Sequence, residues 1–294
     1  MPDKIVFVLS EYYLDFVNSH IDILNLKVSQ RGTSISLIPA SCLVTVLNSS
    51  QASFESLQTA YRQTLFITDD PECFSFLSKK GLYAIALYHQ HNKNQSFPGA
   101  LYAVEDIFQL EYRSYVEAYQ RLAGIPWDIL ETSRLIVRES TLSDIPDFYR
   151  IYRTPSVTDY MEPLFDDPKE EAAYLEAYIK QVYGFYGFGI WTVILKETGQ
   201  IIGRAGLNIR EGYDLPELGF VIEANWQNQG LAFEVCDAIL TYAKKELALT
   251  KLQAFVKEDN LASRHLLKKL GFSYHRDVLE KGREYQLYTI TLLS

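Results

Sequence analysis

Cysteine is scarce in this chain, with three among 294 residues, at Cys42, Cys73 and Cys236. Their odd number, wide separation and lack of metal-ligand spacing leave neither a disulfide framework nor a thiolate metal site, and all three read as reduced core thiols. Nothing near Cys236 in sequence would stabilise a thiolate, which makes it a poor nucleophile. Histidine gives no cluster either. His89 and His91 form a pair without a third ligand at matching spacing, so no metal is expected. Positive charge is short as well, with 28 Lys and Arg against 37 Asp and Glu and a net charge of −9. Nucleic-acid binding draws on clusters of cations, so nucleic acid is not expected as a main ligand. No eighteen apolar residues run together, and the amino terminus MPDKIVFVLSEYYLDF has no cationic segment ahead of its apolar stretch. The expectation is a cytoplasmic protein, neither exported nor membrane-spanning.

The length and a hydrophobic content of 48% are enough for two domains. In the first half, IVFVLS (5–10), LVTVL (43–47), TLFIT (64–68), YAIALY (83–88) and YAVEDI read as short apolar strands. Helical stretches lie between them, at Ser53 to Arg62 and Glu72 to Lys80, the latter closed by Gly81. Strands alternating with helices predict a Rossmann-like parallel sheet covered on both faces. A tyrosine-rich helix from Leu110 to Ala123 stops at Gly124, Ile125, Pro126 and Trp127, and a new strand begins at RLIVRE. The boundary is therefore placed between residues 130 and 131. Beyond it come two helices, Leu142 to Tyr152 and Lys169 to Tyr183, and then a hairpin of GIWTVILK and QIIGRAGLNIR.

The densest information lies in ELGFVIEANWQNQGLAFE, Glu217 to Glu234. Leu218, Phe220, Val221 and Ile222 have strand character. Gln227, Gly230 and Ala232 then fall at Q-x-x-G-x-A spacing, directly before the helical series Phe233, Val235, Cys236, Ile239, Leu240 and Ala243. The first N–H groups of a helix lack intrahelical partners and its dipole end is positive, so small residues there let a diphosphate approach the backbone. A second block follows in EDNLASRHLLKKLGFSYH, with Asn260 and Ser263 ahead of Leu270, Gly271 and Phe272.

These two blocks resemble the [RQ]-x-x-G-x-[GA] and N-x-x-S…L-G-F motifs of GNAT N-acetyltransferases, in the branch that includes the ribosomal-protein N-acetyltransferases. The resemblance runs from about Thr132 to Ser294. It implies a mixed, mainly antiparallel sheet that splays after Glu217 to Ile222 to admit acetyl-CoA. It also implies that the backbone N–H groups of Gln229, Gly230, Leu231 and Ala232 cradle the pyrophosphate, with Gln227 and Asn228 shaping the approach. Phe220, Val221 and Ile222 would meet the pantetheine through their backbones. Asn260 would bind the pantetheine amides or cap the next helix.

Acetyl transfer to an amine needs a proton acceptor and an acid for the leaving thiolate. Glu217 is the candidate base, a role that alternates with binding a cationic acceptor or with plain solvation. The family's usual tyrosine is replaced by Leu267, which leaves the Ser263 hydroxyl as the candidate acid. Tyr274 and Tyr285 are late-strand residues within potential reach of the acceptor groove. Asp159, Glu162, Asp166, Asp167, Glu211 and Asp214 favour a cationic acceptor such as a peptide amino terminus or a polyamine.

In the first half, TLFITDDPECFSFLSKKGLYAIALYH resembles the later part of a haloacid dehalogenase-like domain, with Asp69 in the place of a magnesium-binding aspartate. That family's nucleophile sits in a D-x-D pair after the first strand, where this chain has Ser10 and Glu11. The domain is expected to be catalytically degenerate. The expected activity is acetyl transfer from acetyl-CoA to a primary amine. One alternative is an acetyl-CoA-binding sensor or assembly protein without catalysis, and another is a phosphatase-like hydrolase in the first half. The sequence leaves the oligomeric state open, a dimer included.

Overall fold

The computed structural model describes residues 1–28, 33–43 and 54–292 and divides the chain into two compact units, Met1–Ile125 and Pro126–Ser294. The second unit takes in residues 126–130, which the sequence boundary assigned to the first. Asp128–Glu131 is itself a strand of the second unit's sheet, paired antiparallel with Leu135–Arg138.

The first unit is a five-stranded parallel sheet. Its strands are β1 (Lys4–Leu9), β2 (Ser34–Pro39), β3 (Thr64–Thr68), β4 (Tyr83–Leu87) and β5 (Ala103–Val104), in the order β2-β1-β3-β4-β5. Ile5, Phe7 and Leu9 point into one core with Tyr13, Leu24 and Tyr115, while Val6 and Val8 point into the other with Phe66, Phe74 and Leu77. With both faces covered, β1 is apolar at successive positions instead of alternating. The helix Pro71–Lys79 starts where Asp70 caps it by accepting from the Cys73 N–H at 2.7 Å, and Pro71 follows at its first turn.

Two expectations change here. Of the strand expected at 43–47, Leu43 is helical and the remainder lies outside the described residues. The second strand is instead SISLIP, Ser34–Pro39, outermost in the sheet and only half-buried, so its apolar signal is weak. Cys42 is exposed, whereas Cys73 and Cys236 are buried. The helices Glu11–Asn18 and Ile21–Val28 add cover that the strand pattern alone did not locate.

The second unit holds an eight-stranded sheet of β6 (Asp128–Glu131), β7 (Leu135–Arg138), β8 (Ile190–Leu195), β9 (Ile201–Asn208), β10 (Glu217–Ile222), β11 (Lys251–Val256), β12 (Ser273–Glu280) and β13 (Arg283–Thr291). The order is β12-β13-β11-β10-β9-β8-β7-β6, with every neighbouring pair antiparallel except β10 and β11. On one face the helix Leu231–Lys245 lays Val235, Cys236, Ile239 and Ala243 against Trp191, Ala205, Leu207 and Leu252. On the other, Phe148, Ile151 and Leu175 pack over Ile201 and Val221. Each such side chain, fully buried, contributes roughly 1.5–3 kcal/mol. Arg138 and Asp144 form a bidentate pair at 2.7 Å, joined by the Thr192 hydroxyl at 2.9 Å, which fastens β7 to the start of the helix Ile145–Ile151. Burial works against the Asp144 charge, but hydrogen bonds from Arg138, Thr141 and Thr192 hold its pKa below the usual range.

Candidate functional site

The turn after β10 has the build of an anion cradle. A 3-10 turn over Ala224–Trp226 ends at Gln227, whose side-chain amide donates to the Ile222 carbonyl at 2.8 Å and closes the turn on the strand. Asn228 and Gly230 both adopt left-handed backbone, with φ of 58° and 78°. Only glycine takes that conformation without strain, and Gly230 takes it at the N-cap of the helix Leu231–Lys245. Leu231 is buried, so it can offer a ligand only its backbone. The N–H groups that open this helix lack intrahelical acceptors.

Arg134 reinforces the cradle, and sequence reasoning had passed over it. Its guanidinium donates to the Gln229 carbonyl at 3.0 Å and pairs with Glu234, and one terminal nitrogen would lie 3.6 Å from a Cβ built on Gly230. Glu234 also accepts from the Thr132 and Ser133 hydroxyls and the Arg134 N–H, at 2.6–2.9 Å. Burial alone would raise the Glu234 pKa, but these donors bring it down to about 2. The result is an Arg134–Glu234 ion pair fixed beside the turn.

Ahead of the turn the sheet opens. β10 registers with β11 at Glu217 and Gln253, and from Leu218 onward the two strands diverge. A cavity of about 420 Å³ enters between Leu218–Val221 on one side and Ala254–Lys257 on the other, and continues beneath Tyr174 and Tyr178. Gly219 lines this opening, and a Cβ there would meet the Ile190 Cδ1 at 3.2 Å.

Of the expected site residues, Glu217, Phe220, Val221, Asn260 and Ser263 all line this one cavity. Glu217 is nearly buried, and both of its oxygens accept from Arg210, at 2.7 and 2.9 Å. Asn260 caps the helix Leu261–Lys269, its side chain accepting from the Ser263 N–H at 3.0 Å, so the capping role is realised in its geometry. The Ser263 hydroxyl is left without a hydrogen bond among the described residues, and buried Leu267 occupies the next turn. Ile222 and the turn Gln227–Ala232 lie beyond the cavity's lining, where the helix begins.

The structure separates other expected residues from the site. Tyr285 lines the cavity, but Tyr274 is half-exposed elsewhere. Among the six acidic residues only Glu162 lines it, while Asp167 caps the helix Pro168–Tyr178 by accepting from the Lys169 N–H. His89 and His91 belong to the first unit, where His89 reaches the buried Asp69 at 3.0 Å and stacks on Tyr13. Asp69 also accepts from the Ser10 N–H and hydroxyl, at 2.7 and 2.5 Å. Burial pushes the Cys236 thiol well above its usual pKa, consistent with a core role. Sequence reasoning missed Arg204, Arg210, Glu171, Tyr174 and Tyr178 as cavity residues. The spacing Arg210–Glu217 held a signal, since the loop joining two antiparallel strands returns the chain to its starting point and brings such residues together.

A family model described as "Acetyltransferase (GNAT) domain" matches residues 134–273. The uncharacterized N-acetyltransferase YoaA of Bacillus subtilis (strain 168) is 30% identical over 146 residues, covering 49% of this chain and 82% of that protein. The [ribosomal protein uS5]-alanine N-acetyltransferase of Escherichia coli (strain K12) is 27% identical, over 58% of this chain and 93% of its own. Among solved structures, an acetyltransferase from Agrobacterium tumefaciens str. C58 aligns with a TM-score of 0.48 and 24% identity, covering 55% of this chain and 92% of that one. Phosphate-type turn, opened sheet and family match coincide over the same residues, and the chain belongs to the GNAT family of N-acetyltransferases.

Proposed function

We propose that the protein transfers the acetyl group of acetyl-CoA to a primary amine in the cavity of its second unit. The observation that carries this reading is the divergence of β10 from β11 immediately before a left-handed glycine and a helix start. The opening accepts an extended arm, and the helix start accepts phosphates. Acetyl-CoA would supply an activated acyl group as its thioester. Arg134 and the N–H groups of Gln229 to Ala232 would hold its phosphates, and the backbone of Phe220 to Ile222 its arm.

In this reading Glu217 takes the proton of the incoming amine, directly or through water, with Arg210 fixing the orientation of its carboxylate. Glu162 and Glu171 line the same cavity and draw the ammonium form in. Ser263, with its hydroxyl uncommitted, donates toward the departing sulfur. Transfer is direct, since Cys236 is buried. A peptide amino terminus, a polyamine and other small amines all fit this chemistry. Binding without turnover is a second reading, favoured by Leu267 at the position of the usual acid.

The amino-terminal unit we read as a degenerate haloacid dehalogenase-like domain. Support comes from its parallel order β2-β1-β3-β4-β5 and from Asp69 just past β3. No helix among the described residues is long and apolar enough to cross a membrane, and we place the protein in the cytoplasm.

Calorimetric titration with acetyl-CoA tests the donor site. The native chain should bind, and Gly230→Glu should not, because a carboxylate would then stand in the phosphate approach. Thiol release across an amine panel then separates turnover from binding alone. No binding by the native chain would overturn the reading.

A further inference from the structure

Three cationic side chains line the cavity, and two of them are committed: Arg210 to Glu217, and Lys257 to the Asp159 carbonyl. The third, Arg204, is not. It lies on β9 in register with Val221, and its guanidinium sits 4.4 Å from the centre of the Phe148 ring. Its Nε is buried without a hydrogen-bond acceptor, and no carboxylate among the described residues pairs with it. Burial opposes its charge, while Tyr152, Tyr183, Tyr178 and Glu171 favour it, and the guanidinium stays protonated. An aromatic face supports a guanidinium but leaves its in-plane donors unsatisfied.

A second unmatched donor lies in the same cavity. The Tyr178 oxygen accepts from the Ile190 N–H at 2.7 Å, so its own hydrogen is free to donate, and no acceptor among the described residues takes it. Burial pushes that phenol's pKa up, so it remains a donor. Tyr183, beside it, is satisfied by the Ile190 carbonyl and the Ser140 N–H. Leaving buried donors unmet is costly, more so when one is charged. Donors in surplus mark the place of an acceptor supplied from outside the chain.

We propose that Arg204, with the Tyr178 hydroxyl, binds a carboxylate on the amine acceptor, so that the substrate is a carboxyl-bearing primary amine. This rests on the acetyltransferase reading and narrows it. The planar fork of a guanidinium suits a carboxylate. Glu162, which lines the same cavity beside Arg210, then draws the ammonium end of the same molecule, and amine and acid are recognised by opposite charges within one cavity.

Product-like probes make the test independent of turnover. With the protein saturated by coenzyme A, N-acetylglycine and N-acetylglycinamide are titrated by calorimetry. The acid should bind about 10- to 100-fold more tightly than the amide, as expected for charge-assisted hydrogen bonds. Arg204→Met, which keeps the stem over Phe148, should erase that preference, and Arg204→Lys should keep part of it. Equal affinities in the native protein, a preference that survives Arg204→Met, or binding of neither probe would each overturn the proposal. N-acetyl-aspartic acid α-amide, with its carboxylate on the side chain, tells an acidic peptide terminus from a free amino acid as the source. Coenzyme A binding is read separately: its failure sinks the acetyltransferase reading, whereas its success with indifferent probes sinks only the role of Arg204.

Discussion

Glu217 has both oxygens held by one guanidinium, and this shapes what its replacement should do. Glu217→Gln keeps the shape but cannot take up a proton, so kcat for amine acetylation should fall about a hundredfold or more with acetyl-CoA affinity unchanged. Steady-state thiol release checks this, and a loss confined to the acceptor KM would instead assign the carboxylate to binding. At this scale the sequence was informative where function depends on backbone near a fixed spacing. Gly230 and Asn260 could be read because a left-handed turn and a helix cap each demand a residue type at one place. Arg204 could not, because its meaning comes from facing Val221 across a strand pair and from partners it does not have. Arg134 was hidden for the same reason, lying a hundred residues from the Glu234 it holds.

The helix Leu231–Lys245 shows what electrostatics add to an element. Glu234 sits in its first turn, where the helix dipole also favours a carboxylate. Its pKa is depressed from 4.5 to about 2, burial being outweighed by Thr132, Arg134 and Ser133. A carboxyl depressed on folding contributes stability that is complete above about pH 4.5 and is lost as pH falls toward about 2. Thermal melts of the native protein and Glu234→Gln should therefore differ near neutral pH and converge at the acid end of that window. A gap that persisted at low pH would point to packing as its cause. Among the strands, those buried on both faces were legible as apolar runs, as in Ile5 to Leu9 and Leu65 to Thr68. Ser34–Pro39 was not, since this outermost strand has Ser34 exposed and its other residues only half-buried, and shows neither a buried run nor a clean alternation.

Across the whole molecule, every residue lining the cavity and every residue of the turn Gln227–Ala232 belongs to the unit Pro126–Ser294. A fragment beginning at Pro126 should accordingly keep native-like acetyl-CoA affinity by calorimetry. A fragment that folds but does not bind would show that the first 125 residues contribute to the donor site. The two-unit division itself was visible in the sequence as the break at Gly124 to Trp127, because a left-handed glycine cap and a proline end a helix unambiguously. The parting of β10 from β11 also bears on solubility. Unpaired strand backbone is the usual template for aggregation, and proteins blunt it at their rims with charge, proline or bulges. Here the exposed edge lies in the interior of an eight-stranded sheet, with Leu267 and Val256 among its walls. Another protein's strand cannot reach it, while a single slender chain can, so the fold carries a sticky edge that is sealed against its neighbours by its own depth.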